Sequence, residues 1–231
     1  IAIGILKDAL KSLKPDVVLL QEVAGVQGPR KRAERFAVPS SAFQLEALAD
    51  KIWPYSAYGR NSVFSGGFHG NAVLSRFPIR AFRNTDISLV KGLVKRGILH
   101  AELDMGRGRP ALHVVSTHLG LLEAERQRQV RKLCEYVKDK VPPTEPLVIG
   151  GDFNDWRERI SARLQKGLKM DEAFLKQDRK HARTFPAQLP LLRLDRIYYR
   201  HLKLQRAAQV QGRPWLFLSD HLPLIAEFHD P

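Results

Sequence analysis

The side chains of this chain that could do chemistry stand where apolar runs end. Pro146-Leu147-Val148-Ile149 breaks on Gly150-Gly151 into Asp152-Phe153-Asn154-Asp155. Residues two apart on an extended segment share a face, so Asp152 and Asn154 lie side by side behind two glycines. A carboxylate there can orient and activate water, and the amide can donate to a phosphoryl oxygen whose charge grows in the transition state. Glu22 follows Val17-Val18-Leu19-Leu20-Gln21. An acid capping a buried strand suits Mg²⁺, which takes one or two carboxylates and keeps several waters; taken alone it reads rather as a solvated strand end. His118 ends Val114-Val115-Ser116-Thr117, where an imidazole can protonate a leaving oxygen near neutral pH or sit satisfied in the core.

Asp195 lies inside Leu191-Leu192-Arg193-Leu194-Asp195-Arg196-Ile197-Tyr198. A buried acid needs a partner. Arg193 or Arg196 would make a structural ion pair; a histidine would instead be oriented and kept charged by it. Asp220-His221 follows Trp215-Leu216-Phe217-Leu218-Ser219, where a metal ligand can stand beside a phosphate contact. Asn71, in His69-Gly70-Asn71-Ala72, offers an amide to a phosphate oxygen or simply makes a Gly-Asn turn. His69 and Arg76 read as turn and packing residues, and Asp155 and Trp156 as supports of their loop.

These residues need elements to position them. The opening 2–13 reads as a short amphipathic helix stopped by Lys14-Pro15. Residues 16–21 form a strand buried on both faces, 24–40 an exposed basic loop, and 42–52 a helix. Short strands follow at 56–60, 71–75, 79–86, 97–104 and 111–117, punctuated by glycines. The clearest long helix runs over 123–140 and stops at Pro142-Pro143. A strand then enters Gly150, followed by a helix near 157–168 and strands at 194–199 and 222–228. Helices mixed with strands in this way predict an α/β sheet protein, most simply one domain over 1–231.

Apolar residues make up 44% of 231, enough for a globular core. Lys and Arg exceed Asp and Glu by 14, and the isoelectric point is about 10.2. Such an excess points to a polyanionic partner, nucleic acid or an anionic lipid surface, against the plainer reading of a charged exterior. The basic clusters are Arg30-Lys31-Arg32 and the segments 91–96 and 126–132. The single cysteine, Cys134, excludes an internal disulfide. It falls with Val130, Leu133 and Val137 on one helical face, which makes it a core residue rather than a nucleophile. No run approaches the roughly 18 apolar residues of a membrane span, and no signal peptide is visible. The expectation is a cytoplasmic location, open to revision because the chain begins at Ile1 without methionine.

The set has an order along the chain: Glu22 after a buried strand, Thr117-His118-Leu119, Gly151-Asp152-Phe153-Asn154, Leu194-Asp195-Arg196-Ile197-Tyr198 and Ser219-Asp220-His221-Leu222-Pro223. In this order it resembles the endonuclease/exonuclease/phosphatase superfamily. Its members include pancreatic-type deoxyribonuclease, apurinic-site endonucleases, neutral sphingomyelinases and inositol polyphosphate 5-phosphatases. The segments around Tyr58-Gly59-Arg60-Asn61, His69-Gly70-Asn71-Ala72 and Thr184-Phe185-Pro186 are similar to a small bacterial branch.

The resemblance implies a four-layered α/β/β/α sandwich of two packed mixed sheets with the site at one edge. It also implies a role for each residue. Glu22 would be the principal ligand of Mg²⁺ or Mn²⁺, and Asp220 a further metal or metal-water ligand. Asp152 would activate the attacking water and Asn154 hold the phosphate. His221 would contact a non-bridging oxygen, oriented by Asp195, and His118 would stand near the leaving group. Members of the family open with a strand ending in an Asn near the metal. That strand is expected ahead of Ile1, and with it a metal-site amide. The function implied is a Mg²⁺-dependent phosphoester hydrolase, with nucleic acid the favoured substrate. A phospholipid or phosphoinositide-like head group is the enzymatic alternative, and a non-catalytic nucleic-acid or anionic-lipid binding module the other. No obligate protein partner is indicated.

Overall fold

The computed structural model describes residues 3–26, 44–49, 51–65, 67–89, 94–106 and 108–229. Helix α1 (Ile3–Leu13) leads into strand β1 (Val17–Val26), and α2 (Gln44–Leu48) into β2 (Tyr55–Phe64). Then come β3 (Gly67–Ser75), β4 (Ile79–Asp86), β5 (Gly97–Leu103), β6 (Leu112–His118), α3 (Glu123–Lys140) and β7 (Leu147–Asp152). The chain continues through α4 (Ser161–Leu168), β8 (Asp171–Glu172), α5 (Ala173–Asp178), β9 (Asp195–Arg200), β10 (Lys203–Gln209), α6 (Trp215–Leu218) and β11 (Leu224–His229). The cluster Arg30-Lys31-Arg32, most of the 24–40 segment and the strand expected ahead of Glu22 lie outside the described residues.

Three strands form one sheet in the order β1-β3-β2, six form a second in the order β4-β5-β6-β7-β9-β8, and β10-β11 make a ribbon. The large sheet is mixed: β6 and β7 are parallel, while β5 and β9 run antiparallel to their neighbours. The side-chain period of two sorts each strand between layers. On β3, Val73 faces inward with Ala57, Leu99, Ala101 and Val114, the apolar filling between the two sheets. Its neighbours Ala72 and Leu74 face outward, onto Leu10, Leu45, Trp53 and Trp215 from the helical side. Beneath the large sheet, α3 lays Val130, Leu133, Cys134 and Val137 against Val115, Leu147 and Ile149. The layers are therefore helix, sheet, sheet, helix, as the resemblance implied. The thiol of Cys134 is buried in this layer, and burial pushes its pKa up.

The helix expected over 42–52 is shorter than its apolar pattern suggests. It ends at Leu48, and further on Pro54 disfavours helical backbone at Trp53. That tryptophan is fully buried and donates its indole N–H to the Pro15 carbonyl at 2.8 Å. Strand β10 has no apolar run to announce it, since Ala207 alone on it is fully buried.

Candidate active site

Backbone pairing assembles the first part of the site. In the large sheet His118 on β6 pairs with Asp152 on β7, and Asp152 pairs with Asp195 on β9. Three neighbouring strands thus set an imidazole and two carboxylates in one row, at the carboxyl ends of the parallel pair. Close packing at this row depends on Gly151, whose φ is +147° and whose added Cβ would stand 1.9 Å from the Thr117 carbonyl oxygen.

The other sheet supplies Glu22. Strand β1 is docked on β6 by Gln21 Nε2, which donates to Ser116 Oγ at 3.1 Å, and by that hydroxyl, which donates to the Leu20 carbonyl. The β1–β3 register breaks between Leu20 and Val23, and Glu22 there takes φ +55°. A bulge of this kind re-aims a side chain. It carries the Glu22 carboxylate, 61% exposed, to 3.7 Å from His118 Nδ1 and 3.9 Å from the Arg96 guanidinium.

Asp152 is the centre. One carboxylate oxygen accepts the Asn154 backbone N–H at 2.8 Å. The other faces His118 Nε2 at 3.3 Å and His221 Nε2 at 4.0 Å. Burial favours the neutral acid, but the His118 hydrogen bond and the charges of both histidines outweigh it and hold the pKa below the usual value. His221 points Nδ1 at Asp195 Oδ2, 2.7 Å away, which leaves Nε2 as the nitrogen on the Asp152 side. Asp195 is fixed in turn, its backbone N–H donating to Thr184 Oγ1 at 3.4 Å. The Phe185 ring lies 5.0 Å from the His221 ring, centre to centre. Burial opposes the charged imidazole, yet the Asp195 hydrogen bond and the charges of Asp195, Asp152 and Asp220 raise His221 to about 9. Burial and the charge of Asp152 raise Asp195 as well. At about 9, His221 is charged at neutral pH, with the Asp195 carboxyl held against its Nδ1.

Asp195 thus partners a histidine and not an arginine. Arg193 pairs with Glu158 at 2.6 Å, and Arg196 donates to backbone carbonyls, including that of Asp155 at 3.1 Å. Asp155, fully buried, accepts from the N–H groups of Arg159 and Ile160 and fixes the turn into α4. Asn154 is buried with φ +51°, and one of its amide hydrogens goes to the Leu119 carbonyl at 2.9 Å. Asp220 is exposed beside His221 and acts on it through charge.

Asn71 is a correction. It is 1% exposed, and its amide donates to the carbonyls of Gly97 at 3.0 Å and Ser116 at 3.2 Å. Both hydrogens are committed to the seam between the sheets, so a substrate-donor role does not fit. Arg126 is another correction to the basic segment 126–132. It is buried, donating to the Gly120 and Leu121 carbonyls, so it cannot meet a partner. Reasoning from residue types missed Arg96, hidden in a basic run outside any strand. It also missed His69, whose charged form is disfavoured by burial despite Glu22 nearby. Thr184 lay in a recognisable motif, but only the fold shows that it supports Asp195.

Among the described residues no group of three or more His, Cys, Asp or Glu side chains is gathered to hold a metal. The donors present are hard carboxylate oxygens, and one exposed carboxylate plus substrate phosphate and water fits how Mg²⁺ is commonly held.

Residues 3–221 match the model of the Endonuclease/Exonuclease/phosphatase family. Over 225 residues the chain is 44% identical to YbhP of Escherichia coli (strain K12), an uncharacterized protein, covering 97% of this chain and 87% of that one. An endonuclease/exonuclease/phosphatase from Beutenbergia cavernae superposes with a TM-score of 0.72 at 20% identity, covering 96% of this chain, which spans 64% of that protein. The mannosyl-6-phosphatase Bt3783 of Bacteroides thetaiotaomicron superposes at 0.71 with 17% identity, covering 98% of this chain and 90% of that one. At such identities these two structures speak to the fold alone.

Proposed function

The chain belongs to the endonuclease/exonuclease/phosphatase family, and from that premise we propose that it is a metal-dependent phosphodiester hydrolase of the nuclease type. The observation that carries the reading is Asp152, ionised and buried between two imidazoles, one of them held charged by a second carboxylate. A structural ion pair has no need of this nested arrangement at an open strand edge.

The parts divide as hydrolysis requires. Asp152 takes a proton from the attacking water as its oxygen bonds to phosphorus. The His221 imidazolium donates from Nε2 to a non-bridging oxygen as charge develops there. His118, one hydrogen bond from Asp152, carries the proton on to the leaving oxygen as the ester P–O bond breaks. The second amide hydrogen of Asn154 and the Arg96 guanidinium add fixed positive potential. Glu22, with Asp220 at the rim, would hold Mg²⁺ or Mn²⁺, which when bound neutralises charge on the phosphate and the departing oxygen.

The net charge of +14 supports a polyanion, with nucleic acid first. A lipid head group is the second reading, and the apolar loops around the site favour it. The nearby mannosyl-6-phosphatase fold keeps phosphomonoesters in the panel to be assayed. A binding module without turnover would not call for Glu22, His118, Asp152, Asp195 and His221 together. The test is hydrolysis of supercoiled plasmid, an abasic oligonucleotide, a sugar phosphate and anionic phospholipid vesicles, with Mg²⁺ and with EDTA. Turnover that stops with EDTA and falls on the order of 10²–10³-fold in Asp152→Ala and His221→Ala is the expected result. Turnover that survives either substitution refutes the assignment.

A further inference from the structure

The loops on the site edge share a property the chemistry does not use. Phe64 at the β2–β3 hairpin, Leu121 and Leu122 after β6, Trp156 after β7, Leu191 before β9 and Phe217 on α6 are each between 42% and 65% exposed. These segments lie together because β6 and β7 end, and β9 begins, at the row His118, Asp152, Asp195. The hairpin follows Glu22 along β1, where Val26 pairs with Gly67, and the segment after β10 carries His221 itself. Val63, Leu189 and Leu192 are exposed on the same segments and Val94 ahead of β5; the other exposed large hydrophobics among the described residues, Ile5, Ile52, Tyr55 and Phe82, are scattered over α1, the turn before β2, β2 and β4. A contiguous exposed apolar rim marks an interaction site.

The rim is held in place. Arg126 is 1% exposed, and its guanidinium binds the carbonyls of Gly120 and Leu121 and packs 4.7 Å from the centre of the Trp156 ring. A buried cation thus fixes the backbone under two exposed leucines and the face of an exposed tryptophan. Gln188 Nε2 ties its loop to the Leu216 carbonyl of α6 at 2.7 Å, and Arg213 lies over the Phe217 ring at 5.5 Å. Basic side chains stand among the apolar ones: Lys95, Arg157 and Arg213 are exposed.

We propose that this edge docks on an anionic lipid bilayer, the apolar side chains entering the headgroup layer and the lysines and arginines meeting lipid phosphates. Interleaved apolar and basic side chains are what an anionic interface selects. Single-stranded nucleic acid would use aromatic platforms alone; here Leu121, Leu122 and Leu191, which cannot stack on bases, alternate with Phe64, Trp156 and Phe217. No helix among the described residues is long and apolar enough to cross a membrane; the contact proposed is an interfacial one. The docking rests on the rim alone; that it delivers a lipid phosphoester to Asp152 rests on the lipid reading of the site.

The test is co-sedimentation with vesicles of phosphatidylcholine alone and of phosphatidylcholine with phosphatidylglycerol, read as bound protein without turnover. The proteins are wild type, Asp152→Ala, Phe217→Ser and the double variant Leu121→Ser with Leu122→Ser, each checked by circular dichroism. Wild type and Asp152→Ala should bind the phosphatidylglycerol vesicles, and the double variant should bind on the order of 100-fold more weakly. Phe217→Ser, on a separate element, supplies the same reading if the double variant does not fold. The proposal is overturned if wild type ignores anionic vesicles, or if both apolar variants bind as wild type does, leaving charge alone. It is also overturned if the same substitutions abolish dimerisation in sedimentation velocity, or weaken binding to an oligonucleotide, without changing vesicle binding. Failure of hydrolysis on every substrate would remove the proposed function and leave the vesicle result standing.

Discussion

Replacing Asp195 by Asn keeps the shape of the His221 partner and removes its charge. In the native site His221 is raised from 6.5 to about 9, a preference for the imidazolium of about 3 kcal/mol. Burial works against that preference, and the Asp195 hydrogen bond and charge lead the effects that restore it. With an amide at 195 the remaining help comes from Asp152 and Asp220, and His221 should titrate near or below its ordinary value. At pH 8 a group of pKa about 9 is roughly 90% charged, and one of 6.5 roughly 3%, so the charged donor falls about thirtyfold. The sign follows: the native rate holds through neutral pH and is lost as pH rises through about 9. In Asp195→Asn the same limb arrives some two pH units earlier on the order-of-magnitude scale set by that shift. Two measurements check it. The first is the pH profile of phosphodiester hydrolysis at saturating Mg²⁺. The second is an NMR titration of the His221 ring in metal-free protein, which does not depend on activity. A His221 that still titrates near 9 in Asp195→Asn would refute the claim that Asp195 holds its charge.

Glu22→Gln removes the exposed carboxylate offered to the metal and should weaken Mn²⁺ binding at least about tenfold by calorimetry; unchanged affinity would move the metal elsewhere. Gly151→Ala must place a Cβ 1.9 Å from the Thr117 carbonyl oxygen on backbone that disfavours side chains. It should lower stability by at least about 3 kcal/mol in urea titration, and a midpoint near wild type would show that the β6–β7 approach can relax. His100 is lowered to about 4, by burial first and then by His113 and Arg83. Its folded pKa lies below the unfolded one, so the unfolded chain binds the extra proton. Its contribution is present above about 6.5 and lost as pH falls towards 4, on the order of 3 kcal/mol. Unfolding curves at pH 7 and 4.5 should separate wild type from His100→Phe by a difference that changes with pH; a constant difference would contradict this.

Strand ends were readable because an apolar run that stops on an acid or imidazole leaves a local mark. That is why Glu22, His118, Asp152 and Asp195 could be named, and why α3 and β4 have the bounds their patterns predicted. Asn71 shows the opposite case. Beside a glycine it reads as a turn or a phosphate contact, and only the approach of two sheets turns it into a clamp on Gly97 and Ser116. Arg126 reads as one more cation in a basic run, yet the Gly120 and Leu121 carbonyls draw it inside. Both are set by partners distant in space, and local spacing carries no record of them. The apolar rim was hidden for a related reason. Single exposed leucines on separate loops are ordinary, and their meaning appears when the strands bring the loops to one edge.

The two-sheet origin of the site has a consequence for folding. Glu22 arrives on β1, while His118 and Asp152 belong to the large sheet, and the link nearest Glu22 joins Gln21 to Ser116, 95 positions along the chain. Contacts of such separation close late, because the loop entropy must be overcome first. A slip of β1 by one residue would turn Glu22 away from His118. On the proposed mechanism a nascent or partly unfolded chain with both sheets present but not yet mated would be chemically silent, and turnover would measure whether the sheets have met.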